Sequence, residues 1–202
     1  MGICYLIGAG ECAKLPDFSP DDLVIAVDGG YDSLISQGKR PDILIGDLDS
    51  VKTAPSGIEI LKFKVEKDET DMHLAFLEGQ KRGFSDFLIF GGTGGRADHS
   101  FANYSLLLYA KERGANAKLI SFAELVMLIK NESIELSGGT GRRFSVFAFG
   151  GDADGVTVTG AKYEAKNVKL TSDFPLGVSN SFLSDKATVE VKNGALLIFT
   201  EI

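Results

Sequence analysis

Tryptophan is absent from the 202 residues, and cysteine occurs only at Cys4 and Cys12. Two cysteines near the N-terminus with no second pair cannot complete a four-ligand zinc site, and they predict two free thiols suited to a reducing cytoplasm. Basic residues are in deficit, 21 Lys and Arg against 28 Asp and Glu, which leaves a formal net charge of −7. A field of that sign disfavours polyanions and favours cationic ligands, so no nucleic-acid partner is expected. No apolar run approaches the roughly 20 residues of a membrane span. No positively charged leader precedes the first apolar run. The expectation is a cytoplasmic protein without a membrane partner.

Glycine is plentiful, at 24 residues, and predicts many tight turns. Apolar residues make up 44% and charged residues 24% of the chain, the profile of a globular protein with its own core. In the first half, short and almost wholly apolar runs at residues 3–7, 23–27, 43–45, 58–63 and 87–90 read as strands. Continuous rather than alternating hydrophobicity implies burial on both faces, hence a parallel sheet covered by helices. Residues 32–37, 71–82 and 97–113 read as those helices, with Gly83 and Gly114 as stops after the last two. After about Lys130 helical spacing gives way to short strand-like segments, and Asn193-Gly194 predicts a type I′ hairpin turn. The reading is an α/β domain over residues 1–130 followed by a smaller antiparallel β-domain, a sandwich or barrel, over 131–202.

The polar residues gather where ligands bind in open parallel sheets, after the carboxyl ends of the strands. Asp28-Gly29-Gly30 follows one apolar run and Gly46-Asp47-Leu48-Asp49-Ser50 the next. In extended chain Asp47 and Asp49 point the same way, and two like charges aimed together suit a divalent cation. Asp71 falls in the first turn of a predicted helix, where the helix dipole favours an acid. Gly91-Gly92-Thr93-Gly94-Gly95-Arg96-Ala97-Asp98-His99 leads through a guanidinium into a helix, an arrangement suited to phosphate but without the Gly-Lys-Ser/Thr ending of a P-loop. Each also has a structural explanation: a turn at Asp28, turn or cap chemistry at Asp47 and Asp49, a cap at Asp71, helix-start packing at His99. A competing pattern is Gly8-Ala9-Gly10-Glu11-Cys12-Ala13, which fits the dinucleotide motif, with Asp28 near the ribose-binding position. Pro16 interrupts the helix that motif should open.

Taken in order, Asp28-Gly29-Gly30, Pro41-Asp42 with Gly46-Asp47-Leu48-Asp49-Ser50, Lys67-Asp68-Glu69-Thr70-Asp71, Gly91-Gly92 with Arg96-Ala97-Asp98-His99, and Gly177-Val178-Ser179-Asn180-Ser181-Phe182 resemble thiamine pyrophosphokinases. The resemblance implies transfer of the β,γ-pyrophosphoryl group of ATP to thiamine, dependent on Mg²⁺, in a homodimer whose thiamine pocket joins the α/β domain of one chain to the β-domain of the other. It implies Asp47, Asp49 and Asp71 as metal ligands, Asp98 as an assisting group and Arg96 on phosphate. Asp28, Lys67, Asp68, Thr70 and Thr93 would serve at the substrates, with Ser179 and Asn180 reaching thiamine from the partner chain. Some members have Gln at Lys67, an acid at Ser181, or a Trp against thiamine; without Trp, Phe182 or Tyr163 would stack instead. The alternatives are a pyrophosphokinase for another hydroxymethyl heterocycle such as a pterin, and a dinucleotide-binding protein.

Overall fold

The computed structural model describes residues 2–46, 57–63 and 68–202. The chain divides into two compact units, Met1–Phe122 and Ala123–Ile202.

The first unit carries strands β1 (Cys4–Ile7), β2 (Leu23–Val27), β3 (Ile43–Ile45), β4 (Glu59–Leu61), β5 (Asp86–Phe90) and β6 (Asn116–Ile120), with helices α1 (Gly30–Ser36), α2 (Asp71–Lys81) and α3 (Ala97–Glu112). Its sheet is parallel throughout, in the order β4-β3-β2-β1-β5-β6. Every residue of β1, β2 and β3 is buried, which is what coverage of both faces demands of such uninterrupted apolar runs. Tyr5, Ile7, Val24, Ala26, Leu44 and Phe90 pack with Leu34 of α1 on one face. On the other, α2 comes so close that a Cβ on Gly79 would lie 2.7 Å from Cys4 Sγ and from the Phe87 ring, while Phe76 stacks on Phe87 at 4.6 Å. Burial pushes the Cys4 thiol far up, so it is a small hydrophobe here rather than a nucleophile.

From β1 the chain moves outward to β2, β3 and β4, then returns to lay β5 on the opposite side of β1. The strand order therefore reverses at β1, and such a switch point places a crevice at the carboxyl edge of the sheet.

The second unit carries β7 (Glu124–Lys130), β8 (Ser133–Ser137), β9 (Arg143–Ala148), β10 (Ala153–Thr159), β11 (Ala165–Leu170), β12 (Asn180–Ser181), β13 (Lys186–Glu190) and β14 (Ala195–Glu201). They form two antiparallel groupings, β12-β9-β14-β7 and β11-β10-β13-β8. Phe144, Val146, Leu196 and Ile198 from the first share a core with Leu136, Val156, Val158 and Val189 from the second. This is a β-sandwich.

Two expectations change. The second unit begins at Ala123 rather than 131, because the apolar run that became β7 pairs along its whole length with β14. Asn193-Gly194 is not a hairpin turn, since β13 and β14 belong to different sheets. Asn193 instead exchanges backbone hydrogen bonds with Asp154 at 2.8 and 3.1 Å, and only Gly194 of the pair has positive φ. Asn131, in the β7–β8 crossover, is one of the non-glycine residues with positive φ. Its side-chain oxygen accepts from Gly194 N at 2.8 Å and ties the two crossovers together. Among the described residues no helix is long and apolar enough to cross a membrane.

Candidate active site

A cleft of about 450 Å³ opens at the carboxyl edge of the parallel sheet, a size suited to a small-molecule ligand. The β1 loop contributes Gly8, Ala9 and Gly10, the end of β2 contributes Asp28, the start of α2 contributes Glu69, Thr70 and Asp71, and the β5 loop with α3 contributes Gly92, Gly94, Gly95, Arg96, His99 and Asn103. Four segments that the sequence separates thus meet around one space.

The β5 loop is held from below. Gly10 N donates to Gly91 O at 2.9 Å, Glu11 N donates to Thr93 O at 2.7 Å, and Asn103 Nδ2 donates to Gly92 O at 2.7 Å. The approach leaves no room for side chains: a Cβ on Gly91, where φ is +62°, would sit 2.3 Å from Gly8 O. With these carbonyls engaged, the N–H groups of Gly94, Gly95, Arg96 and Ala97 find no acceptor among the described residues. The N-cap Arg96 makes no side-chain cap bond to α3, and in the first turn His99 N donates to the Asp98 carboxylate at 2.9 Å, so the positive dipole end at the cleft is only partly met within the chain. Loop and helix together form an anion-accepting surface.

The β1 loop serves a different purpose from the dinucleotide motif its sequence resembles. No helix follows β1, and the N–H groups of Gly8, Gly10 and Glu11 are all spent on carbonyls of the β5 segment. They are unavailable to a pyrophosphate.

The opposite wall is acidic. Asp28 adopts a left-handed backbone, φ 49°, which Asp tolerates better than most residues. Its carboxylate crosses the end of β3, where a Cβ on Gly46 would meet Asp28 Oδ1 at 2.0 Å. Thr70 caps α2 by accepting from His73 N at 3.2 Å, and Asp71 is the first helical residue behind it. Arg96 forks onto Asp98, Nε to Oδ1 at 3.1 Å and Nη2 to Oδ2 at 2.6 Å. This pair holds the Asp98 carboxyl below the usual range and raises the guanidinium. Both partners are exposed, so the fork is weak enough to be exchanged for a phosphate.

Of the candidates, Asp28, Thr70, Asp71 and Arg96 line one cleft. Asp98 pairs with Arg96 without lining it, Thr93 supplies a carbonyl to Glu11, and Asp68 is exposed just before α2. Asp47, Asp49 and Lys67 lie outside the described residues. Ser179 and Asn180 belong to the second unit. There the Asn180 side chain is already engaged: Oδ1 accepts from Tyr163 N and Ser181 N at 3.0 and 2.9 Å, and Nδ2 donates to Tyr163 O at 2.7 Å. Phe182 is 2% exposed and packs on Phe144 in the sandwich core, so it is not available to stack on a ligand; Tyr163 is 61% exposed.

Sequence reasoning missed Asn103. Its signal was present, because Asn103, Leu106, Leu107 and Ala110 are the buried residues of α3, and an Asn at a core position in that pattern calls for a partner.

Residues 18–119 match the family model of the thiamin pyrophosphokinase catalytic domain, and 131–196 that of the thiamin pyrophosphokinase vitamin B1 binding domain. A thiamine pyrophosphokinase from Bacillus subtilis is 28% identical over 96% of this chain and 95% of its own length. Thiamine pyrophosphokinase 1 of Oryza sativa subsp. japonica is 24% identical over 80% of this chain and 66% of its own. The Bacillus subtilis enzyme's crystal structure superposes with a TM-score of 0.88 at 25% identity, covering 98% of each chain. That of Candida albicans thiamin pyrophosphokinase gives 0.77 at 16% identity over 100% of this chain and 89% of its own, a likeness of fold.

The close approach of the two loops is testable. Gly91→Ala is expected to destabilise the protein by about 2 kcal/mol or more through backbone strain and the clash with Gly8 O. Gly83→Ala, also at positive φ but with no atom within 4 Å of the new Cβ, is expected to cost less. Equal losses in denaturant titrations of the two variants would show that the approach of the loops carries no cost.

Proposed function

The chain belongs to the thiamine pyrophosphokinase family, and from that premise we propose that it transfers the pyrophosphoryl group of ATP to the hydroxyethyl oxygen of thiamine, releasing AMP and thiamine diphosphate. The observation that carries this reading is the pairing, within one cleft, of an anion-accepting loop and helix end with the carboxylates of Asp28 and Asp71. The first suits the phosphates of ATP, the second a metal and a cationic substrate. A net charge of −7 favours approach of the thiazolium cation.

Asp47, Asp49 and Asp71 are the proposed Mg²⁺ ligands. Carboxylate oxygens are the hard donors that ion takes, Asp71 lines the cleft, and Asp47 and Asp49 follow closely on the end of β3 in sequence. Among the described residues no three acidic, His or Cys side chains form a metal-holding group, so the set depends on Asp47 and Asp49. Bound there, Mg²⁺ would offset charge on the transferring group. Arg96 would leave Asp98 to take a phosphate oxygen, and the loop N–H groups would orient the chain of phosphates for in-line attack. Asp98 assists by holding Arg96 until then; its lowered pKa makes it a poor proton acceptor.

For thiamine we propose Tyr163 as the stacking aromatic. Its exposed ring already draws the Lys162 ammonium to 5.3 Å of its centroid, the attraction a thiazolium would exploit. Asn180, bonded to both backbone groups of Tyr163, acts by holding it, and Ser179 sits beside Asn180. These residues would serve the cleft of a partner chain in a homodimer. Two free thiols and the absence, among the described residues, of a membrane-length helix suit the cytoplasm.

Incubation with ATP, Mg²⁺ and thiamine should release AMP rather than ADP, and Asp71→Asn should lower kcat by two orders of magnitude or more, about the scale of a lost electrostatic group. Thiamine-independent AMP, or an Asp71→Asn chain of full activity, would count against the reading. Tyr163→Ala should raise KM for thiamine about tenfold with stability unchanged. Phe182→Ala, by contrast, should cost about 3–5 kcal/mol of stability; the reverse pattern would exchange their roles. Mixed Asp71→Asn and Ser179→Ala chains should recover activity that neither has alone, and no recovery after proven subunit exchange would place the site within one chain.

A further inference from the structure

We infer that Asn103 is a positioning residue for the nucleotide: its side-chain amide holds the glycine loop in the conformation whose N–H groups meet phosphate. This rests on the ATP-dependent reading of the cleft given above.

Asn103 is 8% exposed and, with Asn180 and Thr200, one of three buried polar residues among those described. A buried amide costs free energy unless its groups are satisfied, and a helix interior disfavours Asn. Leucine would fill the same position at no such cost. What Asn supplies is the 2.7 Å bond from Nδ2 to Gly92 O.

That bond matters because of where the neighbouring carbonyls go. Gly91 O and Thr93 O accept from Gly10 N and Glu11 N of the β1 loop, and Gly92 O lies between them in sequence. A peptide unit is planar and trans, so each held carbonyl also fixes the direction of the N–H of the next residue. Three held carbonyls orient the N–H groups of Gly92, Thr93 and Gly94, each pointing away from the donor that holds its unit, and so set the course of the chain into the N–H groups of residues 94–97 at the cleft. Two of the three clamps come from backbone on the sheet side. Asn103 is the third, and it comes from α3, closing a ring between residue 92 and the helix that begins at Ala97. Without it the Gly92 carbonyl loses its donor, and a loop with positive φ at Gly91, Gly94 and Gly95 is free to turn that peptide over. The Thr93 N–H would then reverse. The role assigned to Asn103 is exerted through the Nδ2 bond to the Gly92 carbonyl, and so through the loop.

The test uses the full chain. Asn103→Asp keeps the shape and removes the donor, and Asn103→Ala removes both. In each, KM for ATP should rise about tenfold, the scale of a buried carbonyl left without its hydrogen bond, while KM for thiamine stays within about twofold. A merely structural role would shift both constants or only the melting temperature. Wild-type chain that forms no thiamine-dependent AMP overturns the functional reading. Active wild type together with a folded Asn103→Asp chain of unchanged KM for ATP overturns the role of Asn103 alone. If both variants fail to fold, the wild type decides by NMR. The Asn103 side-chain amide protons should be protected from exchange with and without Mg-ATP, and the 92–97 backbone amides should gain protection on its addition. Freely exchanging side-chain protons, or backbone amides indifferent to the nucleotide, overturn the inference.

Discussion

The contact between the β1 and β5 loops is the constraint on which the cleft depends. Two parallel strands side by side bring their following loops together, and here the loops lie backbone on backbone, with Gly8, Gly10 and Glu11 N–H groups donating to the carbonyls of Phe90, Gly91 and Thr93. Any side chain at Gly10 or Gly91 would meet backbone oxygen inside van der Waals contact. The carbonyls of the β5 loop are consumed by this contact and by Asn103, while the N–H groups of Gly94, Gly95, Arg96 and Ala97 find no acceptor among the described residues. A backbone arranged in this way is an anion receptor already in place before any ligand arrives.

The charges around the cleft fit the same logic. In a protein of net charge −7 an anionic ligand needs a local site of opposite character, and the glycine loop, the N-terminal end of α3 and Arg96 provide it on one wall. The other wall, with Asp28 and Asp71, would repel a bare nucleotide and suits a metal-bearing one or a cation. Arg96 and Asp98 stand between these states. Their exposed fork keeps the guanidinium oriented without committing it, since surface pairs of this kind contribute little to stability.

In the second unit the organising feature is the corner where the chain changes sheets twice. Asn131 in the β7–β8 crossover and Gly194 in the β13–β14 crossover bond to each other, so both sheets are joined at one edge while Phe144 and Phe182 fill the core between them. Burial of Phe182 leaves Tyr163 outward, and the Asn180 amide fixes its backbone from both sides.

The sequence by itself determined the parallel sheet, because uninterrupted apolar runs such as 23–27 and 43–45 have no stable place except between two layers, and it marked the strand ends where Asp28 and the glycine loop stand. It also carried the family's ordered motifs, which do not depend on packing to be seen. Only the tertiary structure decided what the local patterns were used for. Gly8-Ala9-Gly10 has the spacing of a dinucleotide loop, yet its N–H groups are taken by a strand some eighty residues away in sequence. Asn193-Gly194 has the composition of a hairpin turn but lies between strands of different sheets. Phe182 and Tyr163 are equally aromatic in sequence, and only packing tells the buried ring from the exposed one. The physical reason is common to all three: a backbone hydrogen bond or a buried surface is a relation between two distant segments, and a local pattern records only one of them.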